Sequence, residues 1–223
     1  LRKSFFILLI LIILIVTACD KNTEPKINIQ NSNEGSNTTT VGVGLDIMVT
    51  NKCLYTMVKD IAGENNNVEF MFKDENEEKD FKYTSDSISN IGKQDLFIYT
   101  GVGFDPWMDD FLSKVDKSKV GVINVSRGVS TTSYQNKNEQ DYGSKNPYYW
   151  MDMDNYRTML LNVKNAIEEK DPKNNSTYEN NFKNAFKAVD KYKSTINNLS
   201  EKLKQYTFVT DMDKFDYIMN NVD

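Results

Sequence analysis

The sequence predicts an α/β fold: a parallel sheet of about four strands covered by helices, one long linking helix, and only the start of a second α/β lobe. Three observations carry that prediction. Strand-like and helix-like stretches alternate from residue 45 onward. Apolar residues then recur at spacings of three and four between Tyr178 and Leu203 without a break. Beyond them, one strand-like segment and a partial helix are too little for a core of their own.

The chain opens with Arg2 and Lys3 ahead of an unbroken apolar run over residues 5–16. A bilayer-spanning helix needs about 20 such residues, so the run reads as the apolar centre of a signal peptide. Its close, Val16-Thr17-Ala18-Cys19, resembles a bacterial lipobox, in which Cys19 becomes the lipid-carrying first residue. Residues 1–19 are therefore expected to be the lipoprotein signal, and the mature chain to be lipid-anchored at the extracytoplasmic face of a bacterial membrane. One acyl chain alone binds a bilayer weakly; bacterial lipoproteins resemble one another in carrying more than one. Residues 20–44 are polar, aperiodic and without aromatics. They lack the apolar surface needed to offset ordering entropy and read as a flexible tether. If Cys19 carries lipid, Cys53 has no partner for an internal disulfide. Among Leu54, Met57 and Val58 it reads as a buried, inert thiol.

The first lobe is expected over residues 45–172. "LDIMVT" (45–50) reads as its first strand, and Leu54, Met57, Val58 and Ile61 as a helix stopped by Gly63. "VEFMF" (68–72) is a second strand, and "DLFIYTGVG" (95–103) a third that runs into a glycine-containing loop. Trp107, Met108, Phe111, Leu112 and Val115 mark the helix after Pro106, and "VGVINV" (120–125) a fourth strand. Residues 127–146 are polar and glycine-spaced, and a loop that long inside a compact domain is usually functional or mobile. Asp152 or Asp154 then caps a helix faced by Tyr156, Met159, Leu160, Val163 and Ile167, which Asp171-Pro172 ends. Residues 173–205 form the linking helix, roughly 45 Å long at about 1.5 Å per residue. A coiled coil is the competing explanation; the aromatic bulk favours a helix laid along a domain. "YTFVT" (206–210) reads as a strand opening the final segment, 206–223.

Composition removes several function classes. A net charge of −5 with no basic patch argues against nucleic acid. The chain has no histidine for general-base work and no serine or cysteine in a nucleophile setting, so an enzyme is not expected. The glycines of "TGVGF" do not make a dinucleotide fingerprint.

With these pieces in order, the chain resembles the metal-binding lipoproteins that deliver zinc or manganese to bacterial ABC transporters. The resemblance rests on "DLFIYTGVGFDPWMDDFL" (95–112), on the stretch from "NPYYWMDMDNYR" through "STYENNFK" (146–183), and on the weaker "FVTDMDKFDY" (208–217). It implies two α/β lobes joined by one long helix, with the metal between them, a membrane permease as partner, and truncation early in the second lobe. In the family the loop leads into Asn-Pro-His, an aliphatic residue and Trp, and that histidine binds the metal. Here Tyr148 stands in its place, between Asn146-Pro147 and Trp150. The other family ligands match Lys79 and Met212, and the fourth lies past Asp223.

These substitutions leave three readings open. A lysine ammonium has no lone pair, phenols ionise only near pH 10, and a thioether suits copper(I), so zinc or manganese would be held poorly or not at all. Alternatively Asp80, Asp152, Asp211 and Asp213, each near a lost position, could assemble an oxygen site for a hard cation. Thirdly, Lys79 could itself replace the metal by pairing with Asp152 or Asp211. The resemblance thus implies the solute-binding component of a zinc- or manganese-type ABC transporter, degenerate at its metal site. The alternative is a binding or adhesion lipoprotein that reuses the first lobe as a scaffold.

Overall fold

The computed structural model describes residues 44–72, 77–78, 81–135, 137, 142–207, 209 and 215–219. The signal and tether, Cys19, Lys79, Asp80, Asp211, Met212 and Asp213 lie outside the described residues. All described residues belong to the unit Gly42–Asp223.

Four strands form one parallel sheet: β1 Asp46–Val49, β2 Asn67–Phe70, β3 Leu96–Tyr99 and β4 Gly121–Asn124, in the order β2-β1-β3-β4. Ile47 sits level with Val68 on one side and Leu96 on the other, and Phe97 with Val122. Successive side chains of a strand point to opposite faces, and here the central strands send core residues to both faces, while the edge strand β2 exposes Asn67 and Glu69. Ile47, Val49, Leu96 and Ile98 join one core, while Phe97 joins another and Met48 packs against it. A parallel sheet with both faces covered is the expected outcome of β-helix-β crossovers.

The first core is closed by three helices. In α1 (Lys52–Ala62), Asn51 Oδ1 accepts the Cys53 N–H at 2.7 Å, and Leu54, Met57, Val58 and Ile61 are buried. Gly63 ends it at a φ of 72°, its N–H bonded to Lys59 O. The second layer holds α2 (Ser85–Ile91) and α3 (Met108–Lys114), which contribute Ile91, Met108, Phe111 and Leu112 around Phe97. The helix α2 was not legible in the apolar spacing. It starts on a reciprocal Thr84–Ser87 cap and has only Ile88 and Ile91 to bury.

Two helices complete the first core. A single 3-10 turn, Tyr149–Met151, leads into α4 (Met153–Lys170), and a second, Pro172–Asn174, into α5 (Asn175–Leu203), which is 29 residues long. The two helices are laced together: Arg157 pairs with Asp190 and stacks at 5.0 Å over Phe186. Lys164 meets Glu179 at 3.0 Å and lies over Phe182. Asn181 Nδ2 donates to Ile61 O at 3.0 Å, fastening α5 to α1 as well. Tyr178 and Val189 are buried, yet Tyr192, Leu199 and Tyr206 are exposed, so only the first half of the helical stripe is covered.

The final segment departs from its expected form. Tyr206 closes the end of α5 by donating its N–H to Leu203 O, and neither Thr207 nor Val209 is in a strand; Phe208 and Thr210 lie outside the described residues. High β-propensity alone does not make a strand where no ladder receives it. A short helix follows, α6 (Asp216–Met219), with Tyr217 buried in the first core.

Candidate functional site

In the order β2-β1-β3-β4 the chain runs outward from β1 to β2 and then crosses back to β3. The switch point is therefore between β1 and β3, and ligands of open α/β sheets bind beyond the carboxyl ends of strands at such points. Thr50 and Thr100 directly follow those two strands, and both are fully buried. Thr50 Oγ1 donates to Asp105 Oδ2 at 3.4 Å, and a Thr100 backbone bond reaches the same carboxyl group. Asp105 is 5% exposed. Burial pushes its carboxyl up to about 7, against the smaller pull of the two threonine bonds. Its Oδ1 and Thr100 Oγ1 find no hydrogen-bond partner among the described residues. Tyr149, also fully buried, donates its hydroxyl to Thr100 O at 2.5 Å, and burial drives that phenol well above its ordinary range.

The floor turns upward through Gly101, Val102 and Gly103, with φ of 77°, 54° and 74°. Glycine is required at the first of these, because a Cβ there would lie 2.3 Å from Asn124 Oδ1. Val102 is a β-branched residue held in the left-handed region, a strained conformation. The turn delivers Phe104, whose ring meets Tyr148 edge-on at 5.7 Å and Trp150 at 4.9 Å; Tyr148 and Trp150 are 5.3 Å apart. These three half-buried rings form the wall of the site.

The other arm is hairpin-like. Asn146 N–H bonds Thr132 O at 2.9 Å, Ser133 bridges Lys145, and Tyr134 and Ser144 continue the pairing. Asn146 is fully buried, and its Oδ1 accepts the Tyr148 N–H at 3.1 Å across Pro147. That turn aims the chain into the 3-10 turn, and Asp152 then caps α4, its Oδ1 accepting from Asp154 and Asn155 at 3.0 and 2.8 Å. Asp154 accepts from Lys193 and Arg157. These ion pairs hold its carboxyl below the ordinary range.

Of the residues singled out in the sequence, Tyr148 therefore sits in an aromatic wall beside the switch point. Asp152 lies two residues past Trp150 in the chain, with one oxygen committed to a helix end. Lys79, Asp80, Asp211, Met212 and Asp213 are not among the described residues. Within those described, no group of three or more Cys, Asp or Glu side chains could hold a metal ion. The described wall presents three aromatic rings and no carboxylate, thiolate or imidazole. Cys53 is half-buried, and burial pushes its thiol up to about 11, out of the reactive range. Site residues that were not anticipated include Asp105, Tyr149, Thr50 and Thr100. An acid directly after a strand and a glycine turn was the available signal for the first.

Comparison with known proteins places this geometry. Residues 47–223 match the family described as "ZnuA: Zinc-uptake complex component A periplasmic". The manganese ABC transporter substrate-binding lipoprotein scaA of Streptococcus gordonii is 26% identical over 212 residues, covering 91% of this chain and 64% of the relative. The metal ABC transporter substrate-binding lipoprotein ScbA of Streptococcus cristatus is 25% identical over the same shares. Among solved structures, the metal-dependent lipoprotein YcdH of Bacillus subtilis superposes with a TM-score of 0.71 at 20% identity, covering 80% of this chain and 64% of that one. The Zn(II)-bound ZnuA-like domain of Streptococcus pneumoniae AdcA gives a TM-score of 0.69 at 20% identity, with the same coverage. The chain thus spans 64% of the length of each of these four proteins.

Proposed function

The chain belongs to the zinc-uptake component A family, and from that premise we propose that it is the solute-binding component of a zinc- or manganese-type ABC transporter, altered at the position that would grip the metal. The family is one of solute-binding proteins rather than enzymes. In this reading Cys19 carries the lipid anchor, residues 20–44 hold the lobe off the bilayer at the cell surface, and a membrane permease receives the solute.

One observation carries the altered-site part. Tyr148 follows the buried Asn146 turn at the switch point, with Phe104 and Trp150 packed about it. Zinc takes imidazole, thiolate or carboxylate at about 2.0–2.3 Å, and the aromatic wall offers none of these. A carboxylate site built from Asp80, Asp152, Asp211 and Asp213 is the competing arrangement for a hard cation. Against it, Asp152 already caps α4. No observation favours the adhesion scaffold over transport.

The test has two arms. Purified chain dialysed against Zn²⁺ or Mn²⁺ and assayed by elemental analysis should retain far less than one equivalent; near-stoichiometric tight retention overturns the altered site. Disrupting the gene should lower cellular uptake of zinc or manganese from chelated medium, and unchanged uptake of both overturns the transport role.

A further inference from the structure

Tyr217, beyond α5 in the chain, reaches the base of the candidate site. It lies in α6, only 3% exposed, and α6 rests against the 3-10 turn that carries Tyr149 and Trp150. Its hydroxyl accepts the Thr132 N–H at 3.0 Å and donates to Asn146 O at 2.8 Å. Thr132 and Asn146 also face one another directly, Asn146 N–H bonding Thr132 O at 2.9 Å. In an antiparallel hydrogen-bonded pair the two residues exchange both backbone bonds. Here only one is exchanged, and the phenol stands in for the other, accepting from one backbone and donating to the opposite one.

We propose that Tyr217 is a positioning residue for the candidate site: its hydroxyl closes the base of the 132–146 hairpin and so fixes where Asn146 holds Tyr148. The proposal rests on the reading of Tyr148 as part of the solute site. The chain of contacts is continuous. Tyr217 Oη holds Asn146 O, Asn146 Oδ1 holds the Tyr148 N–H, and the Tyr148 ring packs between Phe104 and Trp150. Asn146 is fully buried, so no solvent can replace a lost partner there. A phenylalanine would keep the ring in the core but take the acceptor from the half-buried Thr132 N–H and the donor from the buried Asn146 carbonyl. Tyr217 also follows the long helix in the chain, so this oxygen ties the segment beyond α5 to the hairpin base.

The experiment compares Tyr217→Phe with Tyr178→Phe in the full chain. Tyr178 is another buried tyrosine of the same core, bonded instead to Asp171 at 2.7 Å. Native-state hydrogen exchange is followed at the Thr132, Asn146 and Tyr148 amides and at those of β3. Tyr217→Phe should speed Asn146 and Tyr148 at least about tenfold relative to β3, whereas Tyr178→Phe leaves that ratio unchanged. A uniform acceleration across all sites, or no change at Tyr148, overturns the proposal. Should the Tyr217 variant not fold, the unaltered chain still decides: one shared opening rate for the three amides supports the clamp, and three independent rates refute it. Exchange needs no solute, so the metal dialysis can fail without touching this result.

Discussion

Replacing Asp105 with asparagine should reshape how stability depends on pH. The folded protein holds the Asp105 proton up to about 7, whereas the ordinary value is 3.8, and burial is the main cause. A group that binds its proton more tightly when folded lowers stability as pH climbs between those two values. The loss is complete above the folded value and absent well below the ordinary one. Each pH unit in that interval corresponds to about 1.4 kcal/mol. From pH 4.5 to just above 7, the carboxyl therefore costs about 3 kcal/mol. Asparagine keeps the shape and an oxygen for the Thr50 hydroxyl, which donates to Oδ2 at 3.4 Å, and places its amide where Oδ1 has no partner. It carries no titrating proton. Urea unfolding of both chains at pH 4.5, 6 and 8 gives the measurement. The stability of Asp105→Asn relative to the parent should rise by about 3 kcal/mol across the series, with most of the gain before pH 7. A difference that stays flat with pH would show that the carboxyl is hydrated or paired in solution, and the reasoning about burial would be wrong.

Three further outcomes follow from the geometry. Gly101→Ala should destabilise by about 2 kcal/mol, because the new Cβ meets Asn124 Oδ1 at 2.3 Å with φ at +77°. Gly103→Ala, with φ at +74° but nothing within 4 Å of the new carbon, should cost about half as much; equal losses in denaturant titrations would discredit the contact. Asp152→Ala removes the oxygen that accepts two backbone N–H groups of α4, so thermal unfolding should fall by about 3 °C, near 1 kcal/mol. Arg157→Met breaks the link to Asp190 and the stacking on Phe186. Asp190 is 47% exposed, so screening keeps the loss to about 1 kcal/mol, and the difference should shrink in 1 M salt.

The sheet was legible because its strands carry their own signal. Runs such as 95–103 and 120–125 are apolar enough to stand out as strands, and most of the helices announce their faces by spacing. The end of α1 at Gly63 was legible for the same local reason, and the cap of α4 was narrowed to Asp152 or Asp154, of which the structure uses Asp152. What failed was whatever depends on partners far along the chain. The α2 segment buries too few residues to show a period, and it is defined by its Thr84 cap. The stretch 206–210 has the composition of a strand, but its described residues, Tyr206, Thr207 and Val209, are not in one, and strand formation is a property of a pair. At the site, Tyr148 and Trp150 stood out as a motif, whereas the state of Asp105 depends first on its burial in the fold and then on Thr50, 55 residues away. Tyr217 acts on Asn146 across 71 residues. Neither separation leaves a trace in local composition.

The long helix α5 is one covalent rod in two thermodynamic settings. Its first half shares the lobe's fate, since Tyr178 and Val189 are buried and Asn181 is bonded to α1. Its second half carries Tyr192 and Leu199 in water, 65% and 47% exposed. A helical stretch of about a dozen residues is marginal without packing. Amide protection should therefore fade turn by turn toward Leu203, and the rod should melt from that end before the lobe does. Any body that settles on those side chains would freeze the fraying turns, so its arrival would register first as a stiffening of α5.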